Sequence, residues 1–153
     1  MDLTDLIAPE AVFPALKAKT KKQALEELAQ RAARLTGLDG RDILETLLQR
    51  ERLGSTGVGR GIAIPHGRVP ALKRIVSVFA RLDEGIDFEA LDDEPVDLIF
   101  LLLAPEHAGA DHLKALARIS RLLREPSSIE KLRASKDRAA IYSVLTESAA
   151  HAA

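Results

Sequence analysis

The chain contains no cysteine and no tryptophan, and only one tyrosine and four phenylalanines among its 153 residues. Without cysteine there is no disulfide and no thiolate for a metal, which suits a reducing compartment. With so few rings, nucleobases find almost nothing to stack on. An excess of either charge is missing too: 22 Lys plus Arg against 23 Asp plus Glu leave −1, no electrostatic footprint for nucleic acid or an anionic membrane. Long apolar runs are also lacking. The longest, Leu98 to Ala104, falls far short of the ~20 residues that span a bilayer, and Met1-Asp2-Leu3-Thr4-Asp5 has no basic n-region. A soluble cytoplasmic protein is the expectation.

What is present is a 46% hydrophobic chain whose core must be Leu, Ile, Val and Ala. At this length it is expected to be one domain over residues 1–153, with its core between about 3 and 147. Pro9 and Pro14 limit the start to a short turn and an edge strand around Val12 to Leu16. Thr20-Lys21-Lys22-Gln23 is a capping-box pattern; Leu25, Leu28, Ala32 and Leu35 follow at helical spacing to Gly37. Asp39 caps a second helix with Ile43, Leu44, Leu47 and Leu48 inward and Gly54 just past its end. Ile75 to Leu82 and Val96 to Leu103 read as strands covered on both faces, with Ile86-Asp87-Phe88 a possible short strand between them. Asp111 is the expected N-cap of a helix from about His112 to Arg124, with Leu113, Leu116, Ala117, Leu122 and Leu123 apolar. Ser127-Ser128-Ile129-Glu130 reads as a capping box, and Ser135 as the start of a last helix packed through Ala139, Ile141, Val144 and Leu145, with Ser148 to Ala153 frayed. Helices before, between and after apolar strands predict an α/β sandwich.

The distinctive stretch is Gly54-Ser55-Thr56-Gly57-Val58-Gly59-Arg60-Gly61-Ile62-Ala63-Ile64-Pro65-His66-Gly67-Arg68. Its glycines permit tight turns and close approach to a ligand, and Ile62 to Ile64 read as a short buried strand. Pro65 stiffens the path into His66. An imidazole held by stiff backbone beside the amides of Gly57, Gly59 and Gly61 is suited to accept a phosphoryl group; the competing reading is a structural histidine. Ser55 and Thr56 either add hydroxyl donors or only cap the turn. His112, opening a helix, is the natural second member, since helix N-termini gather at the carboxyl ends of parallel strands. Arg50 and Arg52 in the last turn of the second helix also fit simple capping of its negative pole. A P-loop is excluded because no Gly-Lys-Ser/Thr follows and Pro65 stands where its helix would begin. A metal site of His66, His107, His112 and Asp111 lacks a zinc spacing. No metal and no cofactor are expected, and His151 in the tail is expected to be solvated.

Arg50-Glu51-x-x-Gly54-Ser55-Thr56-Gly57-x-Gly59-x-Gly61-Ile62-Ala63-Ile64-Pro65-His66-Gly67 resembles the active-site signature of enzyme IIA of the fructose/mannitol class in the phosphoenolpyruvate-dependent phosphotransferase system. The Gly-Ser-Thr-Gly and Ala-Ile-Pro-His segments most resemble its nitrogen-regulatory branch, and the likeness runs from about Leu3 to Glu147. It implies a mixed β-sheet flanked by helices, an α/β/α sandwich. It also implies that His66 accepts a phosphoryl group from a histidine phosphocarrier protein, that His112 assists, and that Arg50 contributes positive charge. Arg60 and Arg68 fall where the family varies. With no sugar-specific B or C domain in the chain, a regulatory output to partners such as kinases, transporters or transcriptional regulators is expected. The alternative is a fructose or mannitol enzyme IIA passing phosphate to a B domain; an interaction domain without transfer activity is a third reading.

Overall fold

The computed structural model describes residues 2–151, with side chains to Glu147 at the C-terminal end. Two short 3-10 turns, Leu3–Asp5 and Pro9–Ala11, lead to β1 (Val12–Phe13), the expected edge strand in shortened form. Two helices follow, α1 (Lys21–Thr36) and α2 (Gly40–Arg52). The Thr20 side chain accepts the Gln23 amide, and Gly37 at φ 76° ends α1 in the left-handed conformation. Asp39 caps α2 by accepting the Arg41 amide at 2.8 Å. Ala24, Leu25, Leu28, Ala29 and Ala32 form the buried face of α1, whereas Leu35, at the end of the expected stripe, is 39% exposed.

Three short strands come next: β2 (Gly57–Gly59), β3 (Ile62–Ala63) and β4 (His66–Arg68). Then come the two long ones, β5 (Val76–Ile86) and β6 (Val96–Ala104). The sheet is mixed, in the order β1-β5-β6-β3-β2 with β4 also paired to β6. β5 runs antiparallel to β6. On the other side of β6, β3 pairs in parallel at Leu98 and Ile99, and β4 in parallel from Leu102 to Ala104. Thus one strand carries both pieces of the chain that flank Pro65. Leu98 to Ala104 are fully buried, as a continuous apolar run covered on both faces requires. Three of the four phenylalanines, Phe79, Phe88 and Phe100, are buried in this core, and Phe79 meets Phe100 edge to face at 6.0 Å. Ile86 belongs to the end of β5, beyond a register irregularity, so the separate strand expected at Ile86 to Phe88 does not form.

Helices α3 (Ala110–Leu122), α4 (Pro126–Ala134) and α5 (Arg138–His151) complete the chain. Their starts differ from expectation. Gly109 rather than Asp111 is the N-cap of α3, which makes His112 its third residue. Glu125 precedes α4, whose first residue is Pro126; proline's fixed φ and missing N–H suit that position better than a serine cap. Asp137, not Ser135, accepts the Ala140 amide at the start of α5, while Ser135 Oγ accepts the Asp137 amide. On α3 the inward residues are His112, Ala115, Ile119 and Leu122; Leu113 is 67% exposed and Ala117 is exposed too. On α5, Ile141 and Leu145 are buried and Val144 packs partly buried against them, but Ala139 is exposed. α5 runs to His151, through the residues from Ser148 onward where fraying was expected; Ala152, Ala153 and the His151 side chain lie outside what is described. No helix among the described residues is long and apolar enough to cross a membrane.

Candidate functional site

Pairing with β6 places His66 opposite Leu102 and Arg68 opposite Ala104, at the carboxyl end of the central strand. β4 is only three residues long, and what seats it is Gly67. A β-carbon there would lie 2.5 Å from Thr46 Cγ2, so α2 packs directly on the strand's backbone. Because side chains alternate along a strand, His66 and Arg68 leave on the face opposite α2. That face meets α3. The two imidazoles stand 5.9 Å apart between ring centroids, at 68°.

Each ring is held by an arginine. Arg50, from the last turn of α2, donates Nε–H to His66 Nε2 at 3.3 Å and Nη1–H to the Gly54 carbonyl at 2.9 Å. The second contact satisfies a carbonyl just past the helix, so the capping expected of Arg50 occurs alongside its reach to the histidine. On the other side of the ring, His66 Nδ1 lies 2.9 Å from the Ile64 carbonyl. A guanidinium only donates and a carbonyl only accepts. Both neighbours therefore select one neutral tautomer, with the proton on Nδ1 and the lone pair on Nε2. Arg68 donates Nε–H to His112 Nδ1 at 3.4 Å and Nη1–H to the Glu106 carbonyl at 3.1 Å. His112 is 7% exposed, and its Nε2 is buried with no partner. Burial, then the charges of His66 and Arg68, hold its pKa below the ordinary histidine value.

The Ser55 and Thr56 hydroxyls are engaged by the scaffold. Ser55 Oγ donates to the Phe88 carbonyl at 2.7 Å and accepts the Gly57 amide at 3.0 Å. Thr56 gives both its amide and its hydroxyl to the Glu51 carboxylate, which is also paired with Lys21 at 2.9 Å. Of the two readings for these hydroxyls, capping is the one their partners match. Gly59, Arg60 and Gly61 form the turn between β2 and β3, at φ 105°, 59° and 78°. There the Arg60 amide goes to Asp92 at 3.0 Å, and Arg133 holds Asp97 and the Arg60 carbonyl. Ile62 pairs with Leu98 and His66 with Leu102, four residues apart along β6 or ~13 Å. The structure thus brings Arg50, His66 and His112 together and leaves Gly59 and Gly61 at a distance. His107 is exposed on the loop before α3, and among the described residues no group of three or more His, Cys, Asp or Glu converges to hold a metal ion. Sequence reasoning passed over Arg68. Its only signal was the two-residue spacing from His66, which means a shared face only once β4 is known to be a strand.

Residues 5–148 match the family model described as "Phosphoenolpyruvate-dependent sugar phosphotransferase system, EIIA 2". A nitrogen regulatory protein from Bradyrhizobium diazoefficiens is 66% identical over 145 residues, covering 95% of each chain. A fructose-specific EIIA component from Haloferax volcanii is 40% identical over 151 residues, 96% of this chain and 98% of that one. Among solved structures, the nitrogen regulatory protein IIA-Ntr from Neisseria meningitidis superposes with a TM-score of 0.89 at 34% identity, over 94% of this chain and 99% of the other.

Proposed function

Because the chain belongs to the EIIA 2 family of the phosphoenolpyruvate-dependent sugar phosphotransferase system, we propose that it is a regulatory phosphohistidine carrier, loaded on His66 by the phosphohistidine of a small cytoplasmic carrier protein. The observation that carries this reading is the orientation of His66, whose Nε2 lone pair is selected by Arg50 on one side and Ile64 on the other. Nε2 attacks phosphorus in line with the departing imidazole. The new N–P bond forms as the donor's N–P bond breaks, and the donor nitrogen leaves with the electron pair. The proton on His66 Nδ1 stays in place, and the Ile64 carbonyl stabilises the positive ring that results. Arg50 gives up a long contact to Nε2 and turns its charge to the phosphoryl oxygens. His112, neutral and with a free Nε2–H, supplies a second donor. Placement and charge then account for catalysis, as phosphoryl transfer needs little covalent help.

A protein donor fits the surface. Leu53, which directly follows α2, is 84% exposed and Leu113, next to His112, is 67% exposed; large exposed apolar residues on the elements that carry Arg50 and His112 favour a protein partner. The regulatory assignment follows the 66% identical relative named a nitrogen regulatory protein. A second reading, a fructose enzyme IIA passing phosphate to a B domain, is favoured by the 40% identical fructose-specific relative. Mass spectrometry of the chain mixed with a phosphorylated donor cascade tests the proposal. One acid-labile phosphoryl on a peptide containing His66 is expected, with none in His66→Ala; undiminished incorporation in that variant would refute it. Onward transfer to a sugar-specific B domain would select the second reading.

A further inference from the structure

Arg68 is exposed, stands two residues beyond the acceptor on β4, and spends two of its N–H groups on the helix that carries the second histidine and on the loop before it. Nε–H meets His112 Nδ1, and Nη1–H meets the Glu106 carbonyl in the loop leading to α3. Gly109, the N-cap of α3, has no side chain to make a cap hydrogen bond there. We infer that Arg68 is a positioning residue for phosphoryl transfer: it fixes the tautomer and ring orientation of His112, so that the proton lies on Nε2 and can be donated to the group arriving on His66. The consequence for transfer rests on the reading above; the tautomer does not.

The logic is one of donors and acceptors. A guanidinium carries five N–H groups and no lone pair, so the ring nitrogen it meets must accept. In a neutral ring the proton is then on Nε2. That nitrogen is buried and lacks a partner, a state that costs free energy in a folded chain and commonly marks a group waiting for a ligand. A protonated His112 would set two N–H groups against each other at Nδ1, so the same contact keeps the ring neutral. The two arginines therefore give the two imidazoles opposite characters. Arg50 requires a lone pair on His66 Nε2, and Arg68 leaves a proton on His112 Nε2. One ring attacks while the other donates.

The test uses the whole chain, with imidazole nitrogens labelled with ¹⁵N, at a pH where His112 is neutral. Nitrogen shifts should report a single Nε2–H tautomer for His112 in the natural chain. In Arg68→Met they should report a mixture or the Nδ1–H form, with phosphoryl transfer from a phosphorylated carrier roughly tenfold slower, the loss of one charge-assisted hydrogen bond. Arg68→Lys, which keeps a donor, should restore the tautomer and most of the rate. The double variant Arg68→Met/His112→Gln should be no slower than His112→Gln alone. An unchanged Nε2–H tautomer in Arg68→Met would overturn the inference, because Arg68 would then act on the phosphoryl group or the donor directly; so would losses that multiply in the double variant. Arg68→Ala carries the same two measurements should the Met variant fold poorly.

Discussion

A methyl group on Gly67 would press 2.5 Å from Thr46 Cγ2, so Gly67→Ala forces β4 and α2 apart. A loss of about 1–3 kcal/mol is expected from such overpacking, measured by urea unfolding, and removing the obstructing methyl in Thr46→Ser/Gly67→Ala should recover most of it. His112 gives a second prediction at this scale. Its pKa is held below 6.5 by burial, then by the charges of His66 and Arg68, so as pH falls from about 7 the unfolded chain takes up that proton before the folded one does. Stability must then fall with pH until the folded group also titrates. His112→Gln should flatten the pH dependence of the unfolding midpoint between pH 7 and 5; an unchanged slope would place the acid sensitivity elsewhere. As a candidate, His66 was legible because Pro65, the glycines and the motif around it are local. Arg68 was not, because its meaning depends on which way a side chain leaves a strand.

The helices were the most legible elements, since Thr20, Gly37 and Asp39 are chemically explicit stop and start signals next to periodic apolar faces. Where serines competed with other candidates, at Ser127 and Ser135, the actual boundaries fell to Pro126 and Asp137. β2 and β4 were invisible, as three residues rich in glycine show no alternation to read. Glu51 joins several of these elements. Its carboxylate takes Lys21 from the start of α1 and both donors of Thr56 at the entry to β2, and its side chain is only 6% exposed. Lys21 also lies 5.0 Å over the Phe88 ring and 3.4 Å from Glu89. Glu51→Ala strands the Thr56 amide but leaves Lys21 a partner, so a cost of about 2 kcal/mol is expected. The midpoint of thermal unfolding measures it, and a variant as stable as the natural chain would show the network to be ornamental.

At the scale of the molecule, an α/β sandwich followed from the order of helices and apolar runs, but the strand order did not. Nothing in the residues announces that β3 and β4 take successive lengths of the same side of β6, and that arrangement is what sets His66 before α3. The exposed Leu53 and Leu113 belong to this scale too, because on the proposed function they meet a second molecule. Leu53→Asp and Leu113→Asp should leave the unfolding midpoint within about 0.5 kcal/mol, as exposed sites do, while slowing loading by the carrier protein at low donor concentration. Equal loading rates would move the docking surface elsewhere.

The seat of His66 on β6 has a temporal consequence. Amides along a fully covered central strand trade their hydrogens for deuterium only when the whole domain opens, whereas the start of α3, with its exposed first residues, exchanges through smaller local excursions. On the function proposed above, the acceptor His66 is thus anchored to the slowest-breathing part of the molecule and His112 to a faster one, so brief openings would interrupt assistance while the accepting nitrogen stays where it is.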